Sequence, residues 1–443
     1  MGSMRLRRGV VLVAGSATAA VLTLTAVATA ARGTAGVKVG SGTASATRSV
    51  CGLGNGKKAT GKPIKLEGMF TLVPGIDFTP VGRIANAYFK CVNDNGGING
   101  RPISYKIYTE QLKPDGDAAL ARKMVEQDKA VGIVGNTSLI DCTVDSKYYQ
   151  QKGYFLIIAG VPGECFGSPN IAPVNMGPRY SDIGAAQALI RHGAKTIVMS
   201  SGITPIAEYA NGGAILVAKK AGVKAVNDLE PFPITDPNSD IVKMYQEAGP
   251  GGGIILNYTP ETALPLMKAA EAQGIADKVL WGSSTPIANE YTATHVDQNL
   301  WNSKNLFINS EFSLLTGNGP DMQLYRAITK KYEHSIAIQS FGQMGFMVGK
   351  FVTAALLSIK GPVTKESYNA AVQDLKNQKT DMLCKPWYFG HGLRAHIPNN
   401  WDITVSYDHG KVVQTEPCFQ IAAVDRGLTA ARAAEKKFKL NTG

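Results

Sequence analysis

The sequence has no Gly-x-Ser-x-Gly elbow, no Walker-type phosphate loop and no His-Glu-x-x-His pair. Those absences remove the usual signatures of a serine hydrolase, a nucleotide hydrolase and a zinc hydrolase. Histidine is scarce: the six at 192, 295, 334, 391, 396 and 409 show no metal-ligand spacing. His391 and His396, five apart in a loop, read as surface residues. No two cysteines have the close Cys-x-x-Cys spacing of a zinc or redox site. Charged residues are only 18% of the chain and aromatic residues 8%. The basic residues are scattered, with a few in the C-terminal tail, which argues against a nucleic-acid surface. The expectation is therefore no enzyme, no cofactor and no metal.

What is there points to an exported two-domain protein. A chain of 443 residues exceeds one ordinary core, and its 48 glycines favour many tight turns over a helical bundle. Arg5, Arg7 and Arg8 precede an uncharged run at 10–30 that ends in Ala28-Thr29-Ala30, the layout of a secretory signal peptide. The rival reading is an uncleaved anchor, since 21 residues can span a bilayer. The many Ala, Thr and Gly residues of the run favour cleavage. Residues 31–62, rich in Gly, Ser, Thr and Ala, read as a flexible linker. Removing the three leader arginines lowers the net charge from +12 to +9. Export accounts for an even number of cysteines as disulfides, although six allow fifteen connectivities. Pairing in chain order gives Cys51–Cys91, Cys142–Cys165 and Cys384–Cys418.

From Ile64 a βα rhythm begins. An apolar run, a Gly/Pro loop at 71–80, a helical pattern and a Gly-dense turn lead into an alternating strand at 103–109. Helical spacing at 115–127, a buried strand at 130–135, a helix at 144–152 and a strand at 154–159 follow. A second series runs through helix 181–192, strand 196–200, loop 201–209 and helix 211–221. It continues with strand 223–231, strand 253–257, helix 259–273 and strand 278–282. Helices at 319–333, 341–360 and 367–377, then strands and loops to 423 and a charged amphipathic helix, complete the chain. Strands that end in loops of small or hydroxyl-bearing residues are where open parallel sheets bind ligands.

Asn93, Gly96, Gly97, Ile98, Asn99, Gly100, Arg101 and Ile103 closely resemble a motif of type I solute-binding proteins of ABC importers, the leucine/isoleucine/valine-binding family. The resemblance extends over about 64–423. The motif itself reads as a fold signature: Gly96 and Gly97 end a helix in left-handed conformations, and Asn99-Gly100 turns into the next strand. Cys142–Cys165 looks like the family's disulfide just after the third strand.

The resemblance implies an α/β fold of two doubly wound lobes joined by three crossovers. Lobe one takes 63–178 and 313–400, lobe two 179–312 and 401–425, with a C-terminal helix and tail at 426–443. It implies a monomeric receptor on the periplasmic or extracellular face of the membrane, with an ABC permease as partner. An amino acid or related carboxylate, aromatic ones included, would be held between the lobes by hinge closure. A sensor that passes closure to a membrane signalling protein is the alternative, and a secreted α/β hydrolase a weaker one.

By position in the family, the carboxylate end of the ligand meets Gly75, Ile76, Asp77 and Phe78, then Thr137 and Ser138, then Ala159, Gly160 and Val161. Thr137 and Ser138 serve equally well as helix caps. From lobe two come Tyr209, Tyr258, Ser284 and Thr285, the two tyrosines being as readily explained by packing. Amino-acid binders of the family hold the ammonium with an acid where this chain has Gly282-Ser283-Ser284-Thr285-Pro286. Glu290, the nearest acid, lies several residues on, and Asp77, Glu208 or Glu261 would have to substitute, so the ligand need not be a branched-chain amino acid. Phe78, Tyr180, Tyr209, Tyr258 and Phe312 are candidates for an aromatic pocket.

Overall fold

A computed structural model describes residues 49–442. The proposed signal segment and the linker up to residue 48 lie outside the described residues. Among the described residues, eleven of thirteen strands form two main sheets and the other two a separate pair. In the first, β1 (Ile64–Val73) is central, with β3 (Ile103–Glu110) and β4 (Gly132–Ile133) parallel to it on either side and β2 (Ile76–Asp77) folded back as a hairpin. β5 (Leu156–Ile158) and β6 (Ile171–Pro173) form a parallel pair. Gly135 and Ala159 backbone hydrogen bonds tie that pair to the segment after β4.

The second sheet has seven strands. β7 (Thr196–Gly202), β8 (Lys224–Glu230), β9 (Gly253–Leu256), β10 (Leu280–Ser283) and β11 (Leu306–Ser310) are parallel. β12 (Trp401–Asp408) and β13 (Lys411–Gln420) add antiparallel to the β11 edge. The chain thus passes between the sheets three times: after β6, after β11 and before β12.

The helix Ser340–Ser358 is long and apolar enough to cross a membrane, but 83% of that stretch is buried inside the fold. Its glycines explain how it packs. A Cβ at Gly345 would stand 2.2 Å from the Val81 carbonyl oxygen, and one at Gly349 would stand 2.6 Å from the Tyr88 side chain. The helix therefore lies directly on the helix Thr79–Asp94 of the first sheet. Gly345→Ala is expected to cost about 1–3 kcal/mol through overpacking, read by chemical denaturation.

The motif after that first helix has the structural role expected of it. Gly96 (φ +100°), Gly97 (φ +57°), Asn99 (φ +51°) and Gly100 (φ +86°) all have left-handed backbones. Asn93 donates from Nδ2 to the Ile103 carbonyl at 2.8 Å and accepts the Ile103 N–H at 2.7 Å, tying helix to strand. All three disulfides pair in chain order, and no free cysteine remains among the described residues.

Several local expectations are corrected. Residues 71–80 are a hairpin rather than an open loop, because Gly75 (φ +82°) lets the chain reverse. The strands read at 130–135 and 154–159 shrink to β4 and β5. A short helix, Gly163–Gly167, and β6 were not foreseen. The helix after β7 starts at Ala207, inside the stretch read as loop. His396 is not a surface residue. It is fully buried, edge-on to Phe389 at 4.9 Å, and burial pushes its imidazole down to about 4. His391 is exposed, as read.

Candidate functional site

A cleft of about 880 Å³, part of it open to solvent, lies between loops of the two sheets. From the first sheet come the hairpin residues Gly75 and Ile76, then Phe78, Thr137, Leu139, Gly160 and Val161. From the second come the Ser201–Gly202 end of β7, then Ile206, Phe232, Asn257, Tyr258 and Ser284. Phe341 and Met344, at the start of the core helix, close the floor with Glu311.

The two sides meet through apolar contacts. Phe232 and Ile206 pack against the hydrophobic core of the first sheet. A Cβ at Gly75 would stand 2.8 Å from the Phe232 ring and one at Gly202 2.5 Å from it, so small residues on both sides seat that ring. Thr259 donates to the Gly75 carbonyl across the cleft at 3.3 Å. Phe78 and Phe341 stack edge to face at 5.4 Å.

Most polar groups of the wall are already engaged. Asn175 takes both the N–H and the carbonyl of Gly160, and the Tyr258 hydroxyl is 2.9 Å from Ser200 Oγ. Ser201 Oγ is buried without a partner. Phe78, Ile206 and Thr259 each stand at a helix N-terminus, so positive helix ends converge on the cleft from both sides. No lysine, arginine or histidine lines it. The arrangement suits an apolar body with one anionic or hydrogen-bonding end.

Glu311 is the one acidic residue of the wall, and no motif in the sequence marks it. It is 4% exposed, at the end of β11 where the chain crosses between sheets. Its Oε2 accepts the Met176 N–H at 2.5 Å, and its own N–H donates to Thr285 Oγ1 at 3.1 Å. Burial pushes the carboxyl up to about 7, against the opposing pull of Met176, Thr285 and Gly177.

Of the residues named from sequence, Gly75, Ile76, Phe78, Thr137, Gly160, Val161, Tyr258 and Ser284 line the cleft. Five do not. Asp77 stands just before the following helix and accepts the Thr79 N–H at 2.8 Å. Ser138 braces the turn before the next helix: its Oγ accepts the Ile140 and Asp141 N–H groups and donates to Glu110. Ala159 is buried behind the wall, with its N–H on the Asn136 carbonyl. Thr285 faces Glu311 and Asn309. Tyr209 sits in the first turn of the helix Ala207–Lys220, where its ring meets Gly163 and lies 5.1 Å from the Arg179 guanidinium. Tyr180, Phe312, Glu208, Glu261 and Glu290 are likewise absent from the wall, whose acid is Glu311.

Residues 75–403 match the family described as periplasmic binding protein. No curated protein matches the chain. Among solved structures, the chain resembles a branched-chain amino acid ABC transporter protein from Thermus thermophilus with bound valine. The identity is 13%, the TM-score 0.70, and the match covers 82% of this chain and 98% of that one. It also resembles a fatty acid ABC transporter substrate-binding protein from Thermomonospora curvata, at 19% identity, TM-score 0.67, covering 85% and 96%. A third is a solute-binding protein of an R. palustris ABC transporter in complex with 4-hydroxybenzoate, at 14% identity, TM-score 0.65, covering 81% and 98%. The likeness to these structures is one of fold, α/β with two doubly wound halves joined by three crossovers. With the family model spanning most of the described residues, this chain belongs to the periplasmic binding protein family.

Proposed function

We propose that this protein is the extracytoplasmic receptor of an ABC importer, capturing one small solute between its lobes and presenting it to a membrane permease. The observation that carries the reading is the apolar cleft walled by loops of both sheets. Closure around a solute there is a hinge motion about the three crossings, with Glu311 and Met176 at two of them. Three disulfides and a family of binding proteins support an exported, non-catalytic role.

The solute class is an apolar carboxylate, an amino acid or an aromatic or aliphatic acid. Helix N-termini would hold the carboxylate without a basic side chain, and Phe78, Phe232, Tyr258 and Phe341 would enclose the apolar body. Structural relatives that bind valine and 4-hydroxybenzoate, and one named for fatty acids, fit that range. Thermal-shift screening of such acids tests it, since a solute that binds only the folded state raises Tm. Once a solute is found, Phe232→Ala is expected to weaken its binding by roughly tenfold or more, because the variant loses about 2 kcal/mol of apolar contact in the closed cleft. Unchanged affinity would place the solute elsewhere.

A further inference from the structure

The first lobe contains a cluster of buried acids that solute capture does not use. Asp141 and Asp145 stand one turn apart on one face of the helix Asp141–Gln151. Asp117, in the first turn of the helix Pro114–Arg122, comes from a different segment and is aimed between them. One carboxylate oxygen of each lies within 4.8 Å of the others. Asp117, Asp141 and Asp145 are 0%, 1% and 4% exposed.

Their hydrogen bonding is incomplete on the side where they face one another. Asp141 accepts from Tyr149 Oη and from Asn136 Nδ2, each at 2.9 Å. Apart from one another, both oxygens of Asp117 and Oδ2 of Asp145 are buried with no hydrogen-bond donor. Among the described residues, no basic group forms an ion pair with the three. Arg122, exposed at the end of its helix, acts on Asp145 from further off, and Glu110 adds a fourth negative group nearby. Taking several carboxylates out of water without a counter-charge is strongly unfavourable, so the cluster needs either protons or a cation. An all-oxygen donor set without thiol or imidazole suits a hard divalent ion rather than zinc or copper.

We propose that Asp117, Asp141 and Asp145 form a calcium site behind the cleft wall. The ion would be held by one oxygen from each carboxylate, Asp117 bringing oxygens that no donor occupies. Asn136 links the site to the cleft: it donates to Asp141 and accepts the Met69 N–H at 3.1 Å, and the next residue, Thr137, lines the cleft. A bound ion would therefore fix the start of the helix Asp141–Gln151 and the loop that faces the solute.

The test needs no solute, so it stands apart from the transport reading. The purified chain is stripped with EDTA and its Tm followed against added calcium, with magnesium and manganese as separate arms. The expected result is a saturable rise of a few degrees with calcium. Asp117→Asn, which keeps the shape and removes one charge, should match or exceed the stripped wild type in Tm and should lose the calcium response. Should that variant not fold, terbium emission sensitised through Tyr149 in the wild type, displaced by calcium, gives the same answer. A Tm indifferent to all three ions, a calcium response that survives in Asp117→Asn, or no sensitised emission overturns the site and leaves three carboxyls sharing protons.

Discussion

Glu311→Gln is expected to flatten the pH dependence of stability between pH 4.5 and 7. In the folded protein burial raises the Glu311 carboxyl to about 7, while its ordinary value is 4.5. Below pH 4.5 the group is protonated in both states and its contribution to stability is fully present. Between the two values the folded state binds more protons than the unfolded chain, so stability falls as pH rises and that contribution is lost by about pH 7. The shift corresponds to about 3 kcal/mol for one proton, as an upper estimate. Glu67, also raised to about 7 by burial and by Asp128, tilts the curve the same way, so the difference between wild type and variant isolates Glu311. Urea denaturation at several pH values reads it. Parallel curves for the two proteins would mean that Glu311 is not held in a water-poor floor. Because the group touches Met176 at a chain crossing, the same titration should also change how readily the cleft closes.

Loss of the Cys142–Cys165 bridge should have an effect of similar size. Its cysteines are 2% and 1% exposed and enclose a separation of 23 residues. Constraining a loop of that length is worth about 3 kcal/mol through the unfolded chain. The bridge also sets one wall of the cleft. A Cβ at Gly160 would stand 2.8 Å from the Cys165 side chain, so the disulfide fixes the Gly160–Val161 turn against the helix Gly163–Gly167. The double Cys142→Ser, Cys165→Ser variant should therefore lose both stability and solute affinity. A loss under about 1 kcal/mol in denaturant would show that packing alone holds this turn.

Much of the fold is legible in the sequence because the signals are local. Alternation at 103–109 and the paired glycines at 96–97 dictate strand and turn wherever the segment sits. The eight sequence-named residues that line the cleft lie at or just beyond strand ends, where parallel sheets open. Other positions depend on distant segments. Tyr209 reads as loop, but the helix begins at Ala207 and turns its ring onto Gly163 and Arg179. Phe232, Phe341, Met344 and Glu311 reach the cleft from the end of β8, the core helix and a crossing between sheets, and nothing in their local patterns marks them. Asp117 is separated from Asp141 and Asp145 by a strand and its flanking loops, so no motif spacing joins the three. His396 read as exposed because a Gly-rich stretch around it hides how completely Phe389 and the Phe166 carbonyl enclose it.

Calorimetric titration with branched-chain amino acids, benzoates and medium-chain fatty acids tests capture in the cleft most directly. It is run in parallel on wild type and on Ile206→Trp, whose larger indole would take up room in the cleft that Ile206 lines. The expected result is 1:1 binding of one of these classes at micromolar affinity, about 8 kcal/mol, and its loss in the filled variant. Equal binding by both proteins, or no binding by any of the three classes, would contradict it.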